Sequence, residues 1–250
     1  MTRTALFALA LGWACLGCGP DENDDPKPNE TFNDDTPAPF DPSTPYEPMV
    51  EPSDLSANIT NPFLPMPVGA TWVSEMVTED GTERIEVSVE SATREVWGVD
   101  VRVVHDSAYL DGELIEDTED WFAEDGAGNV WYMGEETIAY DPTEPPSTAG
   151  SWEAGVNGAL PGIVMLADPS VSSRYRQEYY VGEAEDYAIV RAHDQEVSVP
   201  AGDYTGCIKI EERSVLEPDM QEFKYYCAGV GNVLVEEEED REELVETGGL

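Results

Sequence analysis

Basic residues are scarce in this chain. Its 250 residues include 12 lysines and arginines against 54 aspartates and glutamates, and the formal net charge is −42. A nucleic-acid partner requires a basic patch that neutralises phosphates, so this balance excludes nucleic-acid binding and disfavours docking on anionic lipid. Only Lys27, Lys209 and Lys224 are lysines. High acidity with few lysines indicates salt adaptation, because salt screens the charge repulsion. Divalent-cation binding at the surface and a basic protein partner are the alternatives.

Histidine is also rare, and no catalytic motif is present. His105 and His193 are each followed by aspartate, and neighbours on a strand point to opposite faces. The chain has no G-x-S-x-G, H-E-x-x-H, P-loop or dinucleotide-binding pattern. A carboxylate pair of the glycosidase type stays the one catalytic alternative, because so many acidic residues form close pairs by chance. We therefore expect no enzyme, no cofactor and no metal site.

Long runs with helical periodicity are absent as well, which argues against a helical core. Turn sequences of the hairpin type divide the chain instead, notably Asp80-Gly81 and Asp111-Gly112. They separate short runs rich in β-branched and aromatic residues, which are typical of strands. We predict an all-β fold of roughly a dozen strands, in which a strongly bent antiparallel sheet forms a half-barrel, a barrel or a sandwich.

Two of the four cysteines lie at the start of the chain, in a targeting segment. A short basic start and an apolar run too short to span a bilayer are typical of a secretion signal. Residues 15–18 read CLGC and resemble a bacterial lipobox, although the pattern usually has leucine in place of Cys15 and a small residue in place of Leu16. The resemblance implies a signal peptide over residues 1–17 and an acylated Cys18 that anchors the chain to a membrane. An ordinary secretion signal is the alternative.

The other two cysteines, Cys207 and Cys227, lie in a predicted hairpin. Residues 201–236 read as two strands joined by a turn at residues 217–219. Centring the hairpin on residue 217 places the cysteines opposite each other and within bridging range. We predict a Cys207–Cys227 disulfide in an oxidising compartment, contributing about 3 kcal/mol on the chain-entropy model. Two buried free thiols are the alternative.

Residues 18–60 are predicted to form a tether. The chain from residue 19 to residue 62 carries eleven acidic residues, one lysine and closely spaced prolines. Such a segment cannot bury enough apolar surface to offset its chain entropy, so we expect a disordered acidic spacer. The composition changes at Asn61, and residues 61–247 are predicted to form one antiparallel β domain.

Residues 141–173 are rich in glycine and proline and interrupt the strand pattern. A loop of this length is commonly functional. One interpretation places it over one mouth of the barrel, with Trp152 as a stacking surface for a ligand and Glu153 as a polar contact. Trp121 and Trp131, predicted to face each other across a hairpin, are further candidate ligand contacts. The interpretation that we favour for the loop is a plug or cap whose Trp152 only fills a gap in the core.

Six sequence runs after the tether form a specific combination. They are NPFLPMPVGATW at 61–72, DWFAEDGAGNVWYMG at 120–134, GSWEAGVNGALPG at 150–162, YRQEYYVGEAED at 175–186, VPAGDYTGC at 199–207 and KYYCAGVG at 224–231. Together they resemble a family of uncharacterised bacterial secreted proteins and lipoproteins. That family usually has Ala-Pro where this chain has Cys227-Ala228, so we expect the disulfide to be peculiar to this chain. More loosely, the closing run is similar to bent-sheet domains akin to periplasmic lipoprotein carriers, which implies a concave apolar cavity and no reaction.

Two functional hypotheses follow. The first is a lipid-anchored binding module for a small apolar molecule, a lipid or a sugar. The second is a structural or interaction protein of the envelope, without a small-molecule site, whose acidic face meets a protein partner. A carboxylate-dependent hydrolase ranks third. Gly19 after Cys18 is compatible, by analogy with known sorting signals, with the outer membrane, where the domain would face the periplasm or the cell surface.

Overall fold

The computed structural model describes Thr44 and residues 46–250. The predicted signal peptide, the acylation site Cys18 and most of the tether lie outside the described residues. The described chain is almost entirely β-strand, and its helical content is one 3₁₀ turn at Pro52–Asp54. The all-β prediction is therefore confirmed. No helix in this part of the chain has the length and apolar character needed to cross a membrane.

The strands form one antiparallel sheet. In chain order they are β1 (Leu55–Ser56), β2 (Thr71–Val77), β3 (Thr82–Val96), β4 (Val99–Leu110), β5 (Glu113–Asp125), β6 (Val130–Ala139), β7 (Trp152–Glu153), β8 (Leu160–Met165), β9 (Arg174–Arg176), β10 (Glu178–Tyr179), β11 (Asp186–Val199), β12 (Gly202–Ser214), β13 (Glu222–Cys227), β14 (Gly231–Glu237) and β15 (Asp240–Gly248). Their order across the sheet is β10-β8-β6-β5-β4-β3-β2-β15-β14-β13-β12-β11-β9, with β1 paired to β5 and β7 paired to β6.

One short run of chain nearly closes this sheet into a barrel. Strand β9 pairs with β11, and β10 pairs with β8 at the other end of the sheet. Only Gln177 separates β9 from β10, so the two ends of the sheet meet along a single run. Gly162 of β8 permits the contact, because a Cβ there would lie 2.1 Å from the Gln177 carbonyl oxygen. We call this run, residues 174–179, the seam.

Turn chemistry sets the register of the neighbouring strands. Leu110 pairs with Glu113, and the two residues between them, Asp111 and Gly112, have φ angles of 50° and 85°. Positive φ at both positions is characteristic of a type I′ turn, whose twist matches that of paired strands. The predicted Asp-Gly hairpin is therefore confirmed.

The pairing predicted between Trp121 and Trp131 is wrong. The hairpin is centred one residue later than this pairing requires, so Trp131 lies opposite Ala123. An irregularity in register next to Trp121 adds one further residue, so Trp121 lies opposite Gly134. A β-bulge adds one residue to one strand and shifts all pairs beyond it. Counting outward from the turn could not anticipate this shift.

Residues 46–60, which composition assigns to the tether, contact the barrel. The Tyr46 hydroxyl donates a hydrogen bond to the Pro161 carbonyl at 2.9 Å, and β1 pairs with the end of β5. Leu55 and Ile59 are buried in the main core. The folded domain therefore begins before residue 61, because apolar side chains scattered among the prolines and acids of residues 46–60 are buried against the barrel.

A second, smaller core lies where the long β11–β12 hairpin folds over its neighbours. The hairpin tip is fixed by a hydrogen bond from the Ala201 amide to the Leu244 carbonyl at 3.0 Å. Cys207 and Cys227 lie in this core and form a disulfide with a Cα–Cα distance of 4.2 Å. Glu212 pairs with Glu222, as expected of a hairpin centred on residue 217.

Candidate binding cavity

Trp152 and its loop do not form a lid. Residues 141–173 contain β7 and β8, and both strands pair with β6 as part of the barrel wall. The Trp152 side chain is buried and packs edge-on against Tyr132, with ring centroids 5.4 Å apart. Gly134 permits this approach, since a Cβ there would lie 2.2 Å from the Trp152 carbonyl oxygen. The prediction of a loop over the mouth is therefore wrong.

The other predicted ligand contacts also belong to the wall. The Arg94 guanidinium lies 3.8 Å from the centroid of the buried Trp121 ring and donates to Glu153 Oε2 at 2.8 Å. The Trp131 indole N–H donates to Asp125 Oδ2 at 2.9 Å. Arg94 therefore contacts both Trp121 and Glu153. Trp131 contacts Asp125 instead and does not belong to this group. None of these side chains lines the interior cavity.

The cavity, of about 70 Å³, lies inside the barrel. Its walls are mostly apolar and its inner end is charged. The lining side chains that matter for binding are Trp72, Ile85, Val87, Val104, Tyr226 and Val235 on the walls, with Asp106, Glu222, Lys224 and Glu242 at the inner end. We call these last four residues the floor. Apolar walls with a few convergent polar groups are typical of small-molecule sites.

Strand register explains why distant residues meet at the floor. Lys224 of β13 pairs with Val235 of β14, and Val235 pairs with Glu242 of β15. Directly paired residues point to the same face of a sheet. The three side chains therefore form one row across the barrel interior.

The rim of the cavity is held by hydrogen bonds to the turn after Cys227. The Trp72 indole N–H donates to the Val230 carbonyl at 2.7 Å, and the Gly229 amide donates to the Pro62 carbonyl at 2.7 Å. The disulfide ties Cys227 to β12 immediately before this turn. The turn at the rim is thus held by the two hydrogen bonds and by the disulfide that precedes it.

Lys224 is the basic group of the floor, and its charge is already matched. Its side chain is 7% exposed, and Nζ lies 2.7 Å from Glu212 Oε2 and 3.6 Å from Glu222 Oε2. Burial acts to lower the pKa of Lys224, but Glu212 and Glu222 together raise it well above its ordinary value. The ammonium is therefore charged at neutral pH and paired within the protein.

The floor carboxyl groups bind protons more strongly than exposed ones. Burial raises the pKa of Glu242 to about 8; Asp106 and Glu222 also raise it, while Lys224 and a hydrogen bond with Ser74 lower it. Burial likewise raises the pKa of Glu222, although Lys224 opposes the shift. Charge is costly in a low-dielectric interior, so burial favours the protonated form of Glu222 and Glu242.

Other buried carboxyl groups lie in the barrel interior beyond the floor. Burial raises the pKa of Glu116 and of Asp186 to about 7. It raises the pKa of Asp120, Glu135 and Glu178 well above the ordinary value, with the neighbouring carboxyl groups adding to the effect. Neither carboxyl oxygen of Glu178, which is 0% exposed, has a hydrogen-bond partner among the described residues. The barrel interior is thus a network of acids around one ammonium.

The described residues contain no grouping of three or more histidine, cysteine or acidic side chains placed to hold a metal ion. His105 Nε2 and Ser107 Oγ both bond to Asp117 Oδ1, at 2.7 and 3.1 Å. A nucleophilic triad needs the serine to donate to the histidine, so this surface cluster does not have that arrangement.

Another concavity, of about 550 Å³, lies at the turn between β14 and β15. Its lining includes the acidic run of residues 236–240, with Lys209, Phe223 and Arg241. Phe223 is covered by the Lys209 ammonium, 4.1 Å from its centroid. The cleft is therefore charged rather than apolar.

Sequence reasoning assigned none of the four floor residues to a binding site. They come from β4, β13 and β15, far apart along the chain. One signal was available, since Lys224 is one of only three lysines and lies in a run that alternates with aromatic residues. A lysine on the inner face of such a strand indicates a buried partner.

No family model and no curated protein matches this chain. Two solved structures share features of its architecture. A candidate lipoprotein of Parabacteroides distasonis is 14% identical with a TM-score of 0.41, covering 74% of this chain and 98% of its own. A candidate exported protein of Bacteroides fragilis with a YmcC-like fold is 14% identical with a TM-score of 0.43, covering 76% of this chain and 100% of its own. Similarity at this level carries no argument about function.

Proposed function

We propose that this protein is a binding module of the bacterial envelope, anchored by a lipid on Cys18, that holds a small amphipathic molecule inside its barrel. The observation that carries the proposal is the interior cavity, with apolar walls at Trp72, Val87 and Val104 and a charged floor. Such a site takes a ligand with an apolar body and one polar end. The lipobox-like segment and the acidic tether support the envelope location.

The size of the cavity limits the ligand. An engineered apolar cavity of about 150 Å³ accommodates benzene, and this cavity has about half that volume. A sugar ring, with about twice as many non-hydrogen atoms as benzene, does not fit inside. The volume of this cavity therefore argues against a sugar ligand and against a glycosidase site. The ligand is a short-chain molecule or the end of a longer one.

Native mass spectrometry of the full-length protein from its own host tests the proposal. We expect a bound mass that disappears in Val87→Phe, because the larger side chain fills the cavity. Val77→Phe is the matched control, since Val77 is 76% exposed on β2, the strand that pairs with Val87's strand. A wild-type protein without bound mass, or a mass retained in Val87→Phe, would overturn the proposal.

A second candidate function rests on the acidic cleft at the β14–β15 turn. Its surplus of carboxylates fits a basic protein partner in the envelope. Crosslinking in whole cells tests this function: loss of a specific adduct when residues 238–240 are neutralised supports it, and unchanged adducts refute it.

A further inference from the structure

Building on the proposed function, we propose that the cavity is selective for small primary ammonium ions with a short alkyl body. The ammonium lies among Asp106, Glu222 and Glu242, and the alkyl chain lies against the apolar walls. Ammonium has three N–H donors and no acceptor, and a carboxyl-rich floor can accept all three.

The charge of the floor sets the sign of the ligand. Its carboxyl groups come from three different strands, β4, β13 and β15. Its one ammonium, Lys224, is already paired with Glu212 at 2.7 Å. A bound anion would face a surplus of carboxyl groups and would compete with Glu212 for Lys224. A bound cation would be attracted by the carboxyl groups and would not compete with Glu212 for Lys224.

The interior behind the floor strengthens this preference. Glu178, Asp120 and Asp186 each have a buried carboxyl oxygen that bonds to no partner within the described part of the chain. Asp186 acts electrostatically on Lys224 and Glu222, which links this group of acids to the floor. A cation at the floor therefore favours the ionised form of acids that burial otherwise keeps protonated.

The walls favour a mostly apolar ligand body, with Ser74 and Asn232 as the polar side chains that line the cavity outside the floor. The Trp72 indole N–H is already bonded to the Val230 carbonyl, so Trp72 presents carbon atoms to the cavity. Val87, Val104 and Val235 present only methyl groups. Trp72 and Tyr226 are also aromatic, and aromatic faces attract cations. The limited volume admits only a short alkyl chain.

Binding is coupled to proton release. Burial raises the pKa of Glu242 to about 8, with Asp106 and Glu222 adding to the shift and Lys224 and Ser74 opposing it. Below that pH the group is largely protonated and neutral. An incoming ammonium favours the carboxylate form, so the Glu242 proton leaves to solvent. Affinity for an ammonium ligand therefore rises as the pH increases toward 8.5.

Isothermal titration of the full-length protein with n-butylammonium, n-butanol and butyrate tests the inference. We expect n-butylammonium to bind at least about tenfold more tightly than n-butanol, as a charge-assisted hydrogen bond requires. Its affinity should increase from pH 6 to pH 8.5, with proton release seen as a dependence of the heat on the buffer. Tightest binding of n-butanol or butyrate overturns this inference and leaves the proposed function intact. Absence of binding by all three overturns both.

Glu242→Gln separates charge recognition from cavity shape. We expect this variant to lose the preference for n-butylammonium and to retain n-butanol binding. Glu243→Gln is the matched control, because Glu243 is the next residue on β15 and bonds instead to Arg241. An equal effect of both substitutions, or an unchanged preference in Glu242→Gln, refutes the inference. Glu222→Gln is the second variant if Glu242→Gln does not fold.

Discussion

The Lys224 ammonium lies 2.7 Å from the Glu212 carboxylate, and both side chains are more than nine-tenths buried. Gln177 of the seam donates to the other oxygen of Glu212 at 2.8 Å. Burying two charges costs several kcal/mol per ion unless they are paired and hydrogen-bonded. Lys224 and Glu212 are both paired and hydrogen-bonded. The pair also links β13, β12 and the seam, so it stabilises the acidic interior.

Replacing Lys224 with methionine is predicted to destabilise the domain. Removing one partner of a buried pair leaves an uncompensated charge, which costs about 3–5 kcal/mol. Urea denaturation measures the change in the free energy of unfolding. Lys209→Met is the control, since Lys209 lies on the outer side with 22% of its side chain exposed. Equal losses in the two variants would contradict a special role for Lys224.

Stability is predicted to fall as the pH rises from about 5 to about 8. Carboxyl groups of the unfolded chain titrate near pH 4, whereas burial raises the pKa of Glu83, Glu116 and Asp186 to about 7 and that of Glu242 to about 8. Between these values the folded state binds more protons than the unfolded state, so rising pH favours unfolding. Calorimetry should show a Tm at least about 5 °C lower at pH 8 than at pH 5.5. A Tm that increases over this range would refute the assignment.

Glu178→Met identifies one source of this pH dependence. The substitution removes a fully buried carboxyl group whose oxygens have no hydrogen-bond partner among the described residues. Replacing such a group with an apolar side chain of similar volume is commonly stabilising. We expect a larger gain in Tm at pH 8 than at pH 5.5. Glu183→Met, at an exposed site near the seam, should leave the pH profile unchanged.

Loss of the disulfide is predicted to cost about 3 kcal/mol. The bond closes a loop of 20 residues between Cys207 and Cys227, and the double variant Cys207→Ala/Cys227→Ala frees that loop in the unfolded state. Urea denaturation with and without reductant measures the effect. The wild type should lose stability when reduced, and the double variant should not respond. A double variant as stable as the oxidised wild type would contradict this prediction.

Added sodium chloride is predicted to raise the Tm. The net charge of −42 generates repulsion between surface carboxylates, and 0.1 M salt largely screens the interaction of exposed charges more than about 10 Å apart. Thermal unfolding between low and molar salt measures the effect, with sucrose of equal osmolality as the control. A flat or falling Tm in salt would count against salt adaptation.

Much of the fold was accessible from the sequence. Local turn chemistry identified the Asp111-Gly112 hairpin, and symmetry about residue 217 identified the disulfide partners. These features depend on residues close in the chain, whose geometry is set by backbone preferences. The pairing of Trp121 with Trp131 failed because the turn is centred one residue later than assumed, and a bulge shifts Trp121 by one residue more.

The sequence by itself determined that this chain folds as strands rather than helices, which turns connect them and which two cysteines meet. Only the tertiary structure decided that Trp152 fills the wall and that Asp106, Glu222, Lys224 and Glu242 surround a cavity. The physical reason is that closing the sheet brings strands distant in sequence to one interior. Burial there, which no local pattern encodes, determines which acids keep their protons.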